Sequence, residues 1–195
     1  MFDLVFSLID RVIQLVEHRQ KVQQDMFKTF VEPIFSDFEL VNKQYLDSFN
    51  KYKEMIRSSN NLDNDHPIFN VVEEEILMAS AQRTKLEELA KFSDDPVFGE
   101  FIESIHQYLT GSIELGEVLV GYEQVYDDTL VPFGNIMRET FVSGLRIITW
   151  SSWDQQQKQE KALMSLNYLI RKLNVRYRYV VEKYSALKTK LMTPK

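Results

Sequence analysis

The chain has 195 residues, of which 44% are hydrophobic, and carries a formal net charge of −6 at pH 7. That hydrophobic content supports one domain with a sizeable core and argues against intrinsic disorder. Cysteine is absent, which excludes disulfides, thiolate nucleophiles and cysteine-ligated metal sites. Six glycines and five prolines are too few for the turns of a β-sandwich or barrel, so the composition predicts an all-α fold.

The first seventeen residues are apolar, but they lack the form of an export signal. Asp3 and Asp10 interrupt them, and no basic segment precedes them. Elsewhere no uncharged apolar run approaches the roughly twenty residues that are needed to span a bilayer. We therefore expect a cytoplasmic protein.

The first predicted element is a long helix over residues 2–57, kinked near Pro33 because proline removes a backbone donor. Apolar side chains at helical spacing continue across the proline, which favours a kink within continuous packing. This stripe comprises Ile9, Ile13, Val16, Phe27, Phe30, Ile34, Phe38, Val41, Tyr45, Phe49, Tyr52 and Ile56. Two of its positions are occupied by Gln20 and Gln23, which either fix the register or line a polar pocket.

Residues 58–66, rich in serine, asparagine and aspartate, predict a loop before a second helix at residues 67–92. A third helix is predicted over residues 95–131, with Asp95 as its cap and Pro96 at its first helical position. Glycines along this helix each cost about 1 kcal/mol relative to alanine. They favour close packing of a neighbouring helix, local unwinding or an opening that faces a ligand. These glycines are Gly111, Gly116 and Gly121.

The last two predicted helices cover residues 135–149 and 152–192. Ser152 and Gln155 match the serine-to-glutamine capping box at the start of the final helix. Nine apolar side chains at spacings of three and four residues then predict one buried stripe that extends roughly 43 Å along the helix. The stripe comprises Leu163, Leu166, Ile170, Leu173, Tyr177, Val180, Tyr184, Leu187 and Leu191. These patterns predict an elongated bundle of four or five helices, with long, kinked first and last helices packed antiparallel in coiled-coil-like fashion.

The net charge is segregated along the chain. Residues 1–64 carry −2, residues 65–135 carry −12, and residues 136–195 carry +8. Opposite charges favour packing of the basic final helix beside the acidic middle helices. Alternatively, the final helix binds nucleic acid or an acidic membrane. The candidate anion-binding residues are Arg171, Lys172, Arg176 and Arg178.

Few residues match a known reaction centre. Glu103 and His106 form one Glu-x-x-His pattern, whereas a di-iron bundle needs two such pairs and two further glutamates. Arg11 and His18 are separated by six residues, a spacing that resembles the Arg-x(4 to 6)-His signature of small helical ribonucleases in the HEPN family. That resemblance covers two residues and implies ribonuclease chemistry at Arg11 and His18. We assign no catalytic, cofactor-binding or metal-binding residue.

We therefore predict a non-enzymatic scaffold, adaptor or regulatory subunit that needs no cofactor and binds a protein partner or a second copy of itself through helical faces. The candidate partner-binding residues, which are aromatic as in many binding hot spots, are Phe27, Phe30, Phe35, Phe38, Phe49, Trp150 and Trp153. The two tryptophans flank the last turn and alternatively close the end of the core. One alternative function is an anionic-surface binder that resembles, in architecture, the membrane-bending BAR modules. A second alternative is a small helical ribonuclease or a bundle that carries a metal or ligand.

Overall fold

A computed structural model gives the fold of the chain and describes residues 2–17, 26–80, 89, 91–110 and 133–192. Within these ranges the chain forms six α-helices and one short π-helix, with no β-strand. The elements are α1 (Phe2–Glu17), the π-helix (Phe27–Val31), α2 (Glu32–Arg57), α3 (Ile68–Ser80), α4 (Gly99–Thr110), α5 (Phe133–Trp150) and α6 (Gln155–Met192). The predicted all-α fold is confirmed, and the helices pack against one another as a bundle.

The two longest helices, α2 and α6, pack antiparallel. Phe38 of α2 stacks on Tyr177 of α6 at a centroid distance of 5.7 Å. Near the other end of α2, Nε2 of Gln159 donates to the carbonyl of Ile56 at 3.4 Å. Residue numbers therefore rise along α2 while they fall along the facing side of α6, as the sequence predicts for its long helices.

The structure differs from the predicted single kinked helix over residues 2–57, because α1 lies alongside α2. Nε of Arg11 is 3.0 Å from Oδ2 of Asp37, whereas 26 residues of continuous straight helix would separate the two positions by about 39 Å. A pair of adjacent helices buries the same apolar stripe as one long helix, so the spacing of the sequence fits both arrangements. Three predicted positions between α1 and α2 lie outside the described residues: His18, Gln20 and Gln23.

Pro33 lies at the junction of the π-helix and α2, in the first turn of α2. A proline destabilises a helix least in its first turn, because the N–H groups of that turn have no acceptor within the helix. Phe27 and Val31 of the π-helix are buried. The core therefore continues through the junction, and the interruption predicted near Pro33 takes the form of a change in helix type.

An aspartate cap precedes α4, as the sequence predicts. Oδ1 of Asp95 accepts hydrogen bonds from the backbone N–H groups of Val97 and Phe98 at 2.8 and 2.9 Å. These bonds satisfy N–H groups that have no partner within the helix. The segment 91–94 before the cap is a turn, so the second predicted helix ends before its expected boundary at residue 92.

The capping box of α6 lies two residues beyond its predicted place. Oδ1 of Asp154 accepts from the N–H of Gln157 at 2.8 Å, and Oε1 of Gln157 accepts from the N–H of Asp154 at 3.2 Å. The predicted pair of Ser152 and Gln155 is therefore corrected. Aspartate replaces serine in the same reciprocal geometry, because either side chain offers an oxygen acceptor.

The remaining helix boundaries follow the predictions closely at α5 and α6. The third predicted helix is described only up to Thr110, so Gly111, Gly116 and Gly121 lie outside the described residues. None of the helices in the described ranges combines the length and the apolar content that crossing a bilayer requires.

Candidate functional site

Five phenylalanines that were predicted to contact a partner pack against the chain's own core. The three most buried rings, each at most 1% exposed, are Phe27, Phe38 and Phe49. Phe35 stacks on Tyr184 of α6 at a centroid distance of 3.9 Å, and Phe30 is also packed against the core. The prediction of partner binding is therefore corrected at Phe27, Phe38 and Phe49, because the helices that pack on this segment cover these three rings. It stays a prediction at the partly buried Phe30 and Phe35.

The two tryptophans have different environments. Trp153 is partly buried against the core, and Nζ of Lys161 lies 5.9 Å from the centroid of its ring. Trp150, at the end of α5, is 69% exposed. Trp153 thus closes the end of the core, whereas Trp150 presents a large apolar ring to solvent.

Trp150 lies at an open groove of about 290 Å³ between the start of α3 and the end of α5. The groove, named here the Trp150 groove, is lined by Asn64, Phe69, Asn70, Glu73, Arg146 and Trp150. Nη2 of Arg146 is 2.5 Å from Oε1 of Glu73, and the guanidinium carbon lies 5.5 Å from the centroid of Phe69. The groove therefore combines aromatic side chains with an exposed ion pair.

Hydrogen bonds fix the end of α5 at this groove. Oγ1 of Thr149 donates to Oδ1 of Asn64 at 2.6 Å, which ties α5 to the loop before α3. Nζ of Lys158 donates to the carbonyl of Thr149 at 2.9 Å. A lysine at this position satisfies a carbonyl at the C-terminal end of the helix and opposes the negative end of its dipole.

The four predicted anion-binding residues of α6 do not form one cluster. Arg171 and Arg178 are exposed, and Nζ of Lys172 lies 5.3 Å from the centroid of Tyr168. Nη1 of Arg176 donates instead to the backbone carbonyl of Gln107 on α4 at 2.6 Å, and burial lowers the pKa of Arg176. Arg176 thus holds α6 against α4.

A fully buried arginine, Arg138 of α5, was not identified from the sequence. Its Nε and Nη2 lie 2.9 and 2.8 Å from Oε2 of Glu75 on α3. Tyr52 of α2 donates its hydroxyl to the same oxygen at 2.6 Å. Arg138 stands three residues before Phe141, at the spacing of the apolar stripe of α5, and this position is the signal that could have predicted its burial.

Tyr45 and Tyr108 extend this polar cluster across the core. The guanidinium carbon of Arg138 lies 5.4 Å from the centroid of Tyr45, which stacks on Tyr108 at 6.1 Å. The hydroxyl of Tyr108 donates to Oδ1 of Asn42 at 2.8 Å. Burial raises the pKa of Tyr45, Tyr52 and Tyr108, so these phenols stay protonated, and Tyr52 and Tyr108 donate the hydrogen bonds described above. The cluster therefore joins α2, α3, α4 and α5 and offers no phenolate as a base near neutral pH.

The residues considered for catalysis or metal binding are not brought together in the described ranges. Arg11 pairs with Asp37, and its predicted companion His18 lies outside those ranges. Nδ1 of His106 is 3.9 Å from Oε2 of Glu103, and burial lowers the pKa of His106 despite this carboxylate. No group of three or more histidine, aspartate or glutamate side chains converges there in a way that could hold a metal ion.

No protein-family model, curated protein or solved structure matches the chain. Its function is therefore inferred from geometry. In the described part of the chain, the Trp150 groove and the outer side of α6 both present large apolar side chains to solvent.

Proposed function

We propose that the chain is a non-enzymatic helical module, acting as a scaffold, adaptor or regulatory subunit, that binds a protein partner at the Trp150 groove. The observation that carries this proposal is the 69% exposure of Trp150 on the wall of a groove. Tryptophan is enriched among binding hot spots, since its ring contributes a large contact area with few rotatable bonds. Such a ring is an anchor that a partner can cover.

The surroundings of Trp150 have the composition of a protein-binding surface. Leu77, one turn beyond Glu73 on α3, is 74% exposed and extends the apolar surface along the helix. The ion pair of Glu73 and Arg146, whose side chains are about half exposed, supplies polar groups next to these apolar side chains. Protein interfaces commonly combine an apolar centre with a polar rim.

The groove is also formed by ordered elements. The bonds from Thr149 to Asn64 and from Lys158 to Thr149 hold the end of α5 relative to the loop and to α6. A site held in this way loses little further conformational entropy when a partner binds. This favours a preformed docking groove over one that folds only on contact.

To test the proposal, the untagged full chain is purified under native conditions, and the proteins that co-purify with it are quantified by mass spectrometry. Trp150→Ala should lower recovery of the partner at least about tenfold, because truncating a hot-spot residue costs about 2 kcal/mol or more. Leu40→Ala is the matched control, since Leu40 is 45% exposed on α2 and does not line the groove. The Leu40→Ala variant should co-purify with the same proteins, in the same amounts, as the wild type.

Two results would contradict the proposal. Recovery that is unchanged in Trp150→Ala, with circular dichroism showing an intact fold, would remove Trp150 as the anchor. Equal losses in Trp150→Ala and Leu40→Ala would show that the effect is not confined to the groove.

A further inference from the structure

Helix α6 carries a second row of apolar and basic side chains, on the side that faces away from the core. Its first five members follow one another at intervals of four, three, four and three residues, and the sixth directly follows the fifth in sequence. This α6 outer stripe comprises Met164, Tyr168, Arg171, Val175, Arg178 and Tyr179, of which Tyr168 is partly buried against the core.

The outer stripe lies opposite the buried stripe of the same helix. Each residue turns an α-helix by about 100°, so Val175, two residues after the fully buried Leu173, is displaced by about 200° around the axis. Met164, Val175 and Tyr179 are 50%, 64% and 38% exposed. The stripe from Met164 to Tyr179 is roughly 22 Å long, which is about four helical turns and matches the length of an average helix in a globular protein.

The charge of the outer stripe is positive. Arg171 and Arg178 are both exposed, and within the described part of the chain neither forms an ion pair. They are seven residues apart, which places them two turns and about 10.5 Å from each other along one side of the helix. Lys172 lies beside the stripe, over the ring of Tyr168.

The geometry points to the α6 outer stripe as a docking surface for an acidic amphipathic helix of another protein. Such a helix would place two carboxylates seven residues apart against Arg171 and Arg178, and apolar side chains against Met164, Val175 and Tyr179. Guanidinium groups pair with carboxylates in a planar, two-bond geometry that sets the register of the contact. This surface is distinct from the Trp150 groove and does not depend on it.

A second copy of this chain fits the outer stripe less well than an acidic helix does. A two-fold axis near the middle of the stripe, between positions 174 and 175, would place Arg171 of one copy opposite Arg178 of the other. Like charges that face each other across a helix pair are unfavourable. The charge of the stripe therefore selects a partner of opposite sign.

A membrane or a nucleic acid also fits the stripe less well. Segments that bind acidic membranes carry about four to eight clustered basic residues, each contributing about 1 kcal/mol. The stripe offers Arg171 and Arg178 with Lys172 beside them, while Arg176 is bonded to α4 and Glu182 follows on the same side. Methionine, tyrosine and arginine are instead the residues enriched at protein interfaces.

The test uses two synthetic 21-residue helical peptides as probes, measured by fluorescence anisotropy with the full chain. The first has leucines at spacings of three and four residues, flanked by two glutamates seven residues apart. The second has lysines in place of those glutamates. The full chain should bind the glutamate peptide at least about tenfold more tightly than the lysine peptide, a difference of about 1.4 kcal/mol.

Variants that reverse the charge of chosen side chains show where the peptide binds. Arg171→Glu combined with Arg178→Glu should invert the preference, so that the lysine peptide binds more tightly. Lys43→Glu combined with Lys51→Glu is the matched control, because these exposed lysines of α2 give the same change in net charge, and it should keep the wild-type preference. Trp150→Ala should also keep it, which separates this surface from the Trp150 groove.

Several results would overturn the inference. These are no binding of the glutamate peptide, no preference between the peptides, or a preference that survives reversal of Arg171 and Arg178. Tighter binding to vesicles of phosphatidylserine and phosphatidylcholine, or to a single-stranded DNA of about 20 nucleotides, would assign the stripe to those ligands. A dimer in light scattering that Val175→Asp abolishes would assign it to a second copy.

Discussion

The guanidinium of Arg138 directs two nitrogens at a single oxygen of Glu75, with Nε at 2.9 Å and Nη2 at 2.8 Å from Oε2. An arginine more often forms two parallel bonds to both carboxylate oxygens. The hydroxyl of Tyr52 also donates to Oε2, so three donors from α2 and α5 meet at one atom of α3. This meeting point makes the relative placement of three helices depend on one negative charge.

The first prediction concerns that charge. Glu75→Gln should lower the free energy of unfolding by about 2–3 kcal/mol, because it leaves the buried guanidinium of Arg138 without a counter-charge. Arg138→Met should cost a similar amount, since it leaves the Glu75 carboxylate unpaired. The double variant should cost less than the sum of the two by about 2 kcal/mol, because the glutamine oxygen still accepts the hydroxyl of Tyr52 and no unpaired charge remains. Urea unfolding of the four proteins measures this coupling.

Additive losses in that cycle would show that the pair contributes no specific coupling. Glu73→Gln is a suitable control for the loss of an acidic side chain from α3. Its carboxylate pairs with Arg146 where both side chains are about half exposed, so its removal should cost less than about 1 kcal/mol.

The second prediction concerns the start of α6. Asp154→Ala should lower the free energy of unfolding by about 1 kcal/mol, because the N–H of Gln157 loses its side-chain acceptor. For a chain of this size that corresponds to a fall in Tm of about 2–4 °C. Ser152→Ala is the control and should change stability by less than about 0.5 kcal/mol. Thermal unfolding measures both variants. A larger loss of stability in Ser152→Ala than in Asp154→Ala would show that Ser152 is the cap.

The third prediction concerns pH. Burial lowers the pKa of His106 below its ordinary value of 6.5, so the unfolded chain takes up this proton before the folded chain does. The neutral imidazole therefore contributes stability that is present above pH 6.5 and is lost as the pH falls through the folded-state pKa. His106→Gln should lose less stability than the wild type between pH 7.5 and pH 5.5, measured by urea unfolding at both values. Part of the dependence should remain, because burial also lowers the pKa of His66; equal losses in both proteins would contradict the assignment.

Local spacing predicts much of the fold, and α2 shows why. The apolar positions from Ile34 to Ile56 recur at helical intervals, and the structure buries them, because one side of a helix must face the core. Spacing does not distinguish one long helix from two helices lying side by side, so the contact of Arg11 with Asp37 was not predicted. That contact depends on where the chain reverses, which the period of the stripe does not encode.

The candidate site was predictable only in part. Trp150 was singled out because of its residue type, but its exposure depends on how α3 and α5 meet. The phenylalanines share that aromatic character but are buried or partly buried, because other helices pack over the π-helix and α2. The outer stripe of α6 was predicted only in its basic residues, Arg171 and Arg178, because its exposed apolar side chains do not follow the spacing of the buried stripe. Arg138 was missed because its partner Glu75 is 63 residues away.

The fourth prediction concerns Gln155, which the sequence suggests as a member of the capping box and which instead links α6 to the loop before α3. Oε1 of Gln155 accepts from the N–H of Leu62 at 2.7 Å, and its Nε2 donates to Oδ1 of Asn61. Leu62 is fully buried, so Gln155→Ala should leave its N–H without an acceptor at a cost of about 1–3 kcal/mol. Hydrogen exchange at the Leu62 amide should become at least about fivefold faster. Gln156→Ala, at the exposed neighbouring position, should leave that rate unchanged, and equal rates in all three proteins would show that Gln155 does not hold the loop.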